Sequence, residues 1–250
     1  MANAQPVRIV RHGVVDSTSE RAFAELAAGR ARHGDVHVAA AQTKGRGRLG
    51  RNWHSPAGEG LFASFVLRPE RAWNPAALTI ALGLATLDAV RALGLDGASL
   101  KWPNDVVVRG AKLAGVLAET RDLDPRNPAY VAGIGINVRQ RAFPPELCAE
   151  RPVTSLALCG IEATVEDALR ELVEALPRRC AEIEEDVGRL EADFLRAAGL
   201  ERGHVRVEVA SGTITGVLAR FSVAHGIAVR REAEPEARFA LEHVRGLVAV

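Results

Sequence analysis

Between Ala98 and Val138 the chain carries four β-type runs, Ala98–Trp102, Val106–Arg109, Leu113–Glu119 and Tyr130–Val138, with no room for helices between them. Parallel neighbours need a crossover of about a dozen residues or more, so connections this short mean hairpins and a largely antiparallel sheet. Ahead of this block, Arg8–Val15, Val36–Ala41 and Leu61–Leu67 also read as strands. Ser17 and Glu20 have the spacing of a capping box, which starts a helix expected to run to about Ala31, where Gly34 and Asp35 break it. Pro75–Leu93 is helical and apolar almost all round, which places it centrally. Val165–Ala175 and Arg179–Ala198 read as closing helices. The expected class is α+β, a mixed and largely antiparallel sheet packed with helices.

The pattern changes near residue 200. After Gly203 the segments are short, β-branched and separated by glycine-containing turns. Val205–Val209, Thr213–Phe221, Gly226–Arg230, Phe239–Val244 and Leu247–Val250 are assigned to strands of a small barrel. The expected division is therefore residues 1–200 and 201–250. A length of 250 residues agrees with one or two domains, at about 150 residues each.

Composition narrows the partners. With 32 Lys+Arg against 31 Asp+Glu the net charge is +1, so no global field points to nucleic acid or an acidic membrane. The most apolar run, Ala76–Leu87, stops at Asp88, short of the ~20 residues that span a bilayer. The N-terminal residues lack the apolar stretch of a signal peptide. A soluble, cytoplasmic protein is expected. Cys148, Cys159 and Cys180 show no CxxC spacing, which argues against a disulfide scaffold or structural zinc. His12, His54, His204 and His225 lack metal-ligand spacing, and Glu182–Asp186 reads as a solvated helix face.

The most informative stretch is residues 42–58, QTKGRGRLGRNWHSPAG. Lys44, Arg46, Arg48 and Arg51 place four cations within eight residues, and no acid occurs from Val36 to Gly58. Glycines let a backbone approach a ligand and turn its amides inward, while arginine forks suit phosphate or carboxylate. The bracket Gly45-x-Gly47-x-x-Gly50 formally fits a dinucleotide fingerprint, but that motif must open a helix, and Asn-Trp-His-Ser-Pro follows. A P-loop would end in Gly-Lys-Ser/Thr, and RG-type nucleic-acid tails are longer repeats outside folded domains. A mobile loop that orders over a phosphorylated ligand is the preferred reading. Further on, Lys101-Trp102-Pro103-Asn104-Asp105 joins two strands, with ordinary turn chemistry as the alternative to a functional role. Lys112-Leu113-Ala114-Gly115 opens a strand and Gly133-Ile134-Gly135-Ile136-Asn137 closes one. Lys101 and Lys112, near Asp105, would balance the charge of a nucleotide.

Taken in order, Asp16-Ser17-Thr18-Ser19, the Gln42–Pro56 loop, Lys-Trp-Pro-Asn-Asp, Lys-Leu-Ala-Gly and Gly-Ile-Gly-Ile-Asn-Val resemble the biotin protein ligases, over about residues 8–156. That resemblance implies a catalytic domain related to lipoate ligases and a small SH3-like C-terminal domain. It also implies two half-reactions: biotin and ATP give biotinyl-5′-AMP and pyrophosphate, and a lysine of biotin carboxyl carrier protein then takes the biotinyl group. On the same ground Arg48, Lys112 and Asp105 are the catalytic candidates, with Asp105 anchoring a phosphate-bridging Mg²⁺. Ser17, Thr18, Gln42, Gly45, Arg46, Gly47, Lys112 and Gly115 are implied for biotin. Arg48, Arg51, Trp53, Lys101, Asn104 and Asn137 are implied for ATP or the adenylate, although Trp53 also reads as a loop anchor in the core.

Three positions depart from the family pattern. Leu49 stands where many members have arginine, Ser19 replaces a common asparagine, and Phe239-Ala-Leu-Glu-His is not the usual Gly-Glu-rich ending. Some members carry an N-terminal helix-turn-helix; here the first catalytic strand is expected near residue 8, so operator binding is not expected. Edge strands in such a fold can pair between subunits, which makes a homodimer an open expectation. A lipoate or other acyl ligase on the same scaffold, and a non-catalytic biotin- or nucleic-acid-binding module, are the competing readings.

Overall fold

A computed structural model describes residues 7–121, 124–201, 203–232 and 234–250. The first part contains β1 (Ile9–Val15), α1 (Thr18–Ala27), β2 (Val36–Gln42), β3 (Gly60–Leu67), α2 (Pro75–Ala92) and β4 (Ala98–Lys101). It continues through β5 (Asp105–Val108), β6 (Ala111–Glu119), β7 (Tyr130–Asn137), α3 (Pro145–Glu150), α4 (Val165–Glu185) and α5 (Val187–Ala197). The strands form one sheet in the order β1-β2-β3-β7-β6-β5-β4. Only β1 and β2, which α1 connects, pair in parallel; every other pair is antiparallel. The hairpin logic of the short connections holds.

Strand β3 pairs with β7 along its whole length, from Gly60–Asn137 to Leu67–Tyr130. All its residues are buried because both faces are covered. Leu61, Ala63, Phe65 and Leu67 face the main core with α2 and α4, while Val66 packs with Ala22 and Phe23 of α1. This is the two-residue alternation of a strand between two helical layers. Asn74 caps α2 by accepting from the Ala76 and Ala77 amides. Among the described residues α2 is the one helix long and apolar enough to cross a membrane, but 67% of it is buried within the fold.

The second sheet contains β8 (His204–Val209), β9 (Gly212–Ser222), β10 (Gly226–Arg231), β11 (Glu234–Phe239) and β12 (Gly246–Ala249), in the antiparallel order β11-β10-β9-β8-β12. It shares a continuous core with the first. Trp102 stands edge-on to Phe194 (5.7 Å) and Phe221 (6.2 Å), and its Nε1 donates to the Val244 carbonyl at 2.8 Å. The β4–β5 turn is therefore fastened to the C-terminal sheet.

Several boundaries differ from the sequence expectation. Helix α1 stops at Ala27 rather than near Ala31, because Gly29 takes a left-handed conformation (φ 68°) that ends the helix. The Ser17/Glu20 capping box does not form: Ser17 makes no side-chain cap, and Glu20 is drawn to Arg46 and Arg121. Helix α4 runs through the exposed Pro177 to Glu185. The break comes at Asp186, which caps α5 through the Arg189 amide. The fourth C-terminal strand is Glu234–Phe239, not Phe239–Val244, part of which forms a single 3₁₀ turn at Leu241–His243. The short helix α3 was not anticipated.

Candidate functional site

A cavity of about 750 Å³ opens between the 42–58 loop, the start of α1, the β4–β5 turn and the faces of β6 and β7. Its polar corner is built from hydroxyls and one amide. Thr18 donates its backbone N–H to Gln42 Oε1 at 2.8 Å, and Gln42 Nε2 donates to Ser55 Oγ at 3.1 Å. Thr18 Oγ1 and Ser19 Oγ lie 2.8 and 3.0 Å from Ser64 Oγ. Ser17, Thr18, Ser19 and Ser64 are all buried. Ser64, the serine inside the otherwise apolar run of β3, does not line the cavity itself but holds the Thr18 and Ser19 hydroxyls that do.

The glycine loop folds back on itself. Gly47 N donates to Arg51 O at 2.7 Å, Trp53 N donates to Gly45 O at 2.9 Å, and Arg46 bridges to Asn52. At Gly45 a Cβ would stand 2.7 Å from the Trp53 carbonyl, so the close return excludes any side chain. At the tip, Arg48–Gly50 make one 3₁₀ turn in which Leu49 has φ 58° and a side chain 90% exposed. Trp53 turns inward onto β6 and β7: a Cβ at Gly135 would collide with its indole, and one at Gly115 would stand 3.0 Å away. Lys112 Nζ lies 5.2 Å from the Trp53 ring centroid. This packing is what a loop anchor requires, and Trp53 also lines the cavity.

The charged residues divide by task. Lys112 Nζ pairs with Asp105 Oδ1 at 2.6 Å. Burial lowers the Lys112 pKa, and Asp105 acts against that shift. Desolvation also lowers Arg48, again opposed by Asp105. Seven cationic side chains line the cavity, Arg46, Arg48, Arg51, Lys101, Lys112, Arg151 and Arg245, against three carboxylates, Asp105, Glu208 and Glu242. Arg151, Glu208, Glu242 and Arg245 were not anticipated; chain folding brings them in from distant segments that carry no motif of their own. Such a surplus of positive charge, next to a pocket of hydroxyls, is suited to a polyanion with a neutral polar end.

Some anticipated residues take other places. Arg46 is committed to Glu20 and, at 3.2 Å, to Glu119, so its guanidinium fastens the loop to α1 and β6. Asn104 closes its turn, Nδ2 donating to Val116 O at 2.9 Å, while still lining the cavity. Asn137 does not line it: the side chain is buried and donates to the Thr154 carbonyl at 2.9 Å. Gly45 borders a second, adjoining cavity of about 1130 Å³ that shares Ser17, Gln42, Arg46, Arg51 and Trp53 with the first. Ser17, Thr18, Gln42, Gly47, Arg48, Arg51, Trp53, Lys101, Asp105, Lys112 and Gly115 are brought together around the first. Among the described residues no three His, Cys, Asp or Glu side chains are grouped to hold a metal.

A sheet of this order, with a cationic cavity walled by a glycine loop and a lysine–aspartate pair, defines an α+β scaffold with a site suited to an anionic ligand. Residues 13–138 match the biotin/lipoate A/B protein ligase family, and the chain belongs to that family. It is 37% identical over 213 residues to the biotin–[acetyl-CoA-carboxylase] ligase of Mycobacterium tuberculosis, covering 82% of this chain and 76% of that protein. With the bifunctional ligase/repressor BirA of Bacillus subtilis it shares 37% identity over 142 residues, 56% of this chain but only 43% of the relative. The chain thus spans less than half of such two-function relatives. The solved biotin protein ligase from Aquifex aeolicus, in complex with biotin and ATP, superimposes with a TM-score of 0.76 at 30% identity, covering 97% of this chain and 99% of that one.

Proposed function

We propose that the chain is a biotin protein ligase that activates biotin with ATP and transfers it to a lysine of biotin carboxyl carrier protein. The observation that carries this reading is the Lys112–Asp105 pair, 2.6 Å apart, in a cavity with a cationic surplus beside the Thr18–Gln42 corner. In the first step a biotin carboxylate oxygen attacks the α-phosphorus of ATP and the bond to the β-phosphate bridge breaks, releasing pyrophosphate. Two anions approach each other, so the cations of the site must offset their repulsion and meet the charge growing on the leaving group. Lys112 and Arg48 stand for that task. In the second step the carrier's ε-amine attacks the acyl carbon and AMP leaves.

The neutral ureido end of biotin suits a corner of hydroxyls and one amide. A pocket that hydrogen-bonds such a group disfavours ligands lacking it, because its own polar atoms would lose partners. Mg²⁺ would arrive with ATP. Asp105 fits as a single carboxylate anchor, since it is partly exposed beside Lys112, and a phosphate-held Mg²⁺ needs only one or two carboxylates.

The test is to mix the chain with MgATP, biotin and a carrier domain and to weigh the carrier. A gain of one biotinyl group, absent without ATP, is expected. No adenylate and no transfer would overturn the reading, and modification by lipoate in preference to biotin would replace it with an acyl ligase of different substrate.

A further inference from the structure

Between α3 and α4 the chain passes beside the start of β6. Lys112 N donates to Pro152 O and Thr154 N donates to Lys112 O, both at 2.9 Å, and Lys112 makes a parallel bridge with Val153. The same strap is held from β7, where Asn137 Nδ2 donates to Thr154 O at 2.9 Å and Leu156 N donates to Asn137 O at 3.1 Å. Arg151 leads into this strap and so is fixed next to Lys112.

Arg151 borders both cavities, the one holding the Lys112–Asp105 pair and the adjoining one along the glycine loop. Its side chain is only 23% exposed, and the carboxylate recorded near it, that of Glu150, is 3.6 Å away and itself 67% exposed. A contact of that length to a solvated carboxylate holds little of its charge. Arg51 and Arg151 both act to depress the Lys112 pKa, so three cations share one space in which Asp105 is already paired with Lys112. Like charges gathered this way are balanced best by a polyanion.

We propose that Arg151 binds the polyphosphate of ATP in the activation step, at the end that leaves as pyrophosphate. The proposal rests on the ligase reading above. As the α-phosphorus gains the carboxylate oxygen and loses the bridging oxygen, the electron pair departs with pyrophosphate, and Arg151 meets that charge with a forked donor.

Arg151→Gln and Arg151→Lys test it by steady-state kinetics of activation. For Arg151→Gln the KM for ATP is expected to rise about tenfold, the scale of one charge-assisted hydrogen bond. Inhibition by inorganic pyrophosphate should weaken in proportion. The KM for biotin and the rate of transfer from preformed biotinyl-AMP should stay unchanged, and Arg151→Lys should recover part of the loss. An unchanged KM for ATP would overturn the proposal, as would a parallel loss of biotin binding and transfer, which marks a strap that is only structural. Should the wild-type chain form no adenylate, the ligase reading fails by itself. Calorimetric binding of ATP then still decides on Arg151: weaker binding by Arg151→Gln supports it, and equal affinity overturns it.

Discussion

The two walls of the site are made differently. One is the β4–β7 block, where Lys101, Asp105, Lys112, Gly115 and Gly135 sit on paired strands in fixed register. The other is the 42–58 loop, whose anchors are a few backbone bonds, the inward Trp53, and Arg46 paired with Glu20 and Glu119. Ladder-bound groups open only with the sheet, whereas partly exposed ion pairs are individually weak. The difference assigns preorganised charge to the strands and ligand enclosure to the loop. It also gives Arg46 a fastening role: a loop that carries four cations and no acid takes carboxylates from its neighbours to stay in place.

The comparison is broken most severely on the rigid wall. Lys112→Gln leaves Asp105 unpaired and removes the cation nearest it, and the rate of adenylate formation should fall about 10²–10³-fold, measured by single-turnover quench. Gly135→Ala comes next. The added methyl collides with the Trp53 indole, and forcing an extra carbon into a packed contact costs about 1–3 kcal/mol. The loop should be displaced, with adenylate hydrolysis outpacing transfer and Trp53 fluorescence shifting towards the exposed value.

A smaller effect comes from Asp105→Asn. Burial lowers the Lys112 pKa and Asp105 opposes it, so removing the carboxylate leaves desolvation unopposed and lowers the pKa further. The ammonium form, which the site needs, is lost as pH rises through that value. The alkaline limb of the activation profile should therefore move to lower pH in Asp105→Asn, which a pH–rate series checks. The smallest effect is on the loop wall: Glu119→Gln weakens one of two anchors of Arg46 and should speed dissociation of the adenylate by about twofold to fivefold, the scale of a partly exposed ion pair.

Much of this was legible in the chain. The short connections between Ala98 and Val138 dictated hairpins, and β3, α2 and β7 fell where their apolar periods place them. The glycine loop was legible as a local run of cations and glycines, whereas Thr18 with Gln42 and the roles of Lys112 and Asp105 came from the resemblance of the ordered motifs to the ligase family. Long-range competition was not legible. Glu20 has the spacing of a cap, yet two arginines from other segments outbid the helix terminus for it. Asn137 ends a glycine-rich strand and so reads as ligand-facing, yet the neighbouring strap takes its amide. Arg151, Glu208, Glu242 and Arg245 reach the cavity only through tertiary folding.

The central claim is that the loop encloses an adenylate over the charged strand wall until an amine arrives. It is tested most directly by incubating the chain with biotin and ATP labelled at the α-phosphate, isolating the protein, and then adding carrier. The account predicts labelled biotinyl-AMP retained by the protein and released as labelled AMP in step with biotinylation of the carrier. Absence of a retained adenylate, or one that decays to biotin without modifying the carrier, would contradict it.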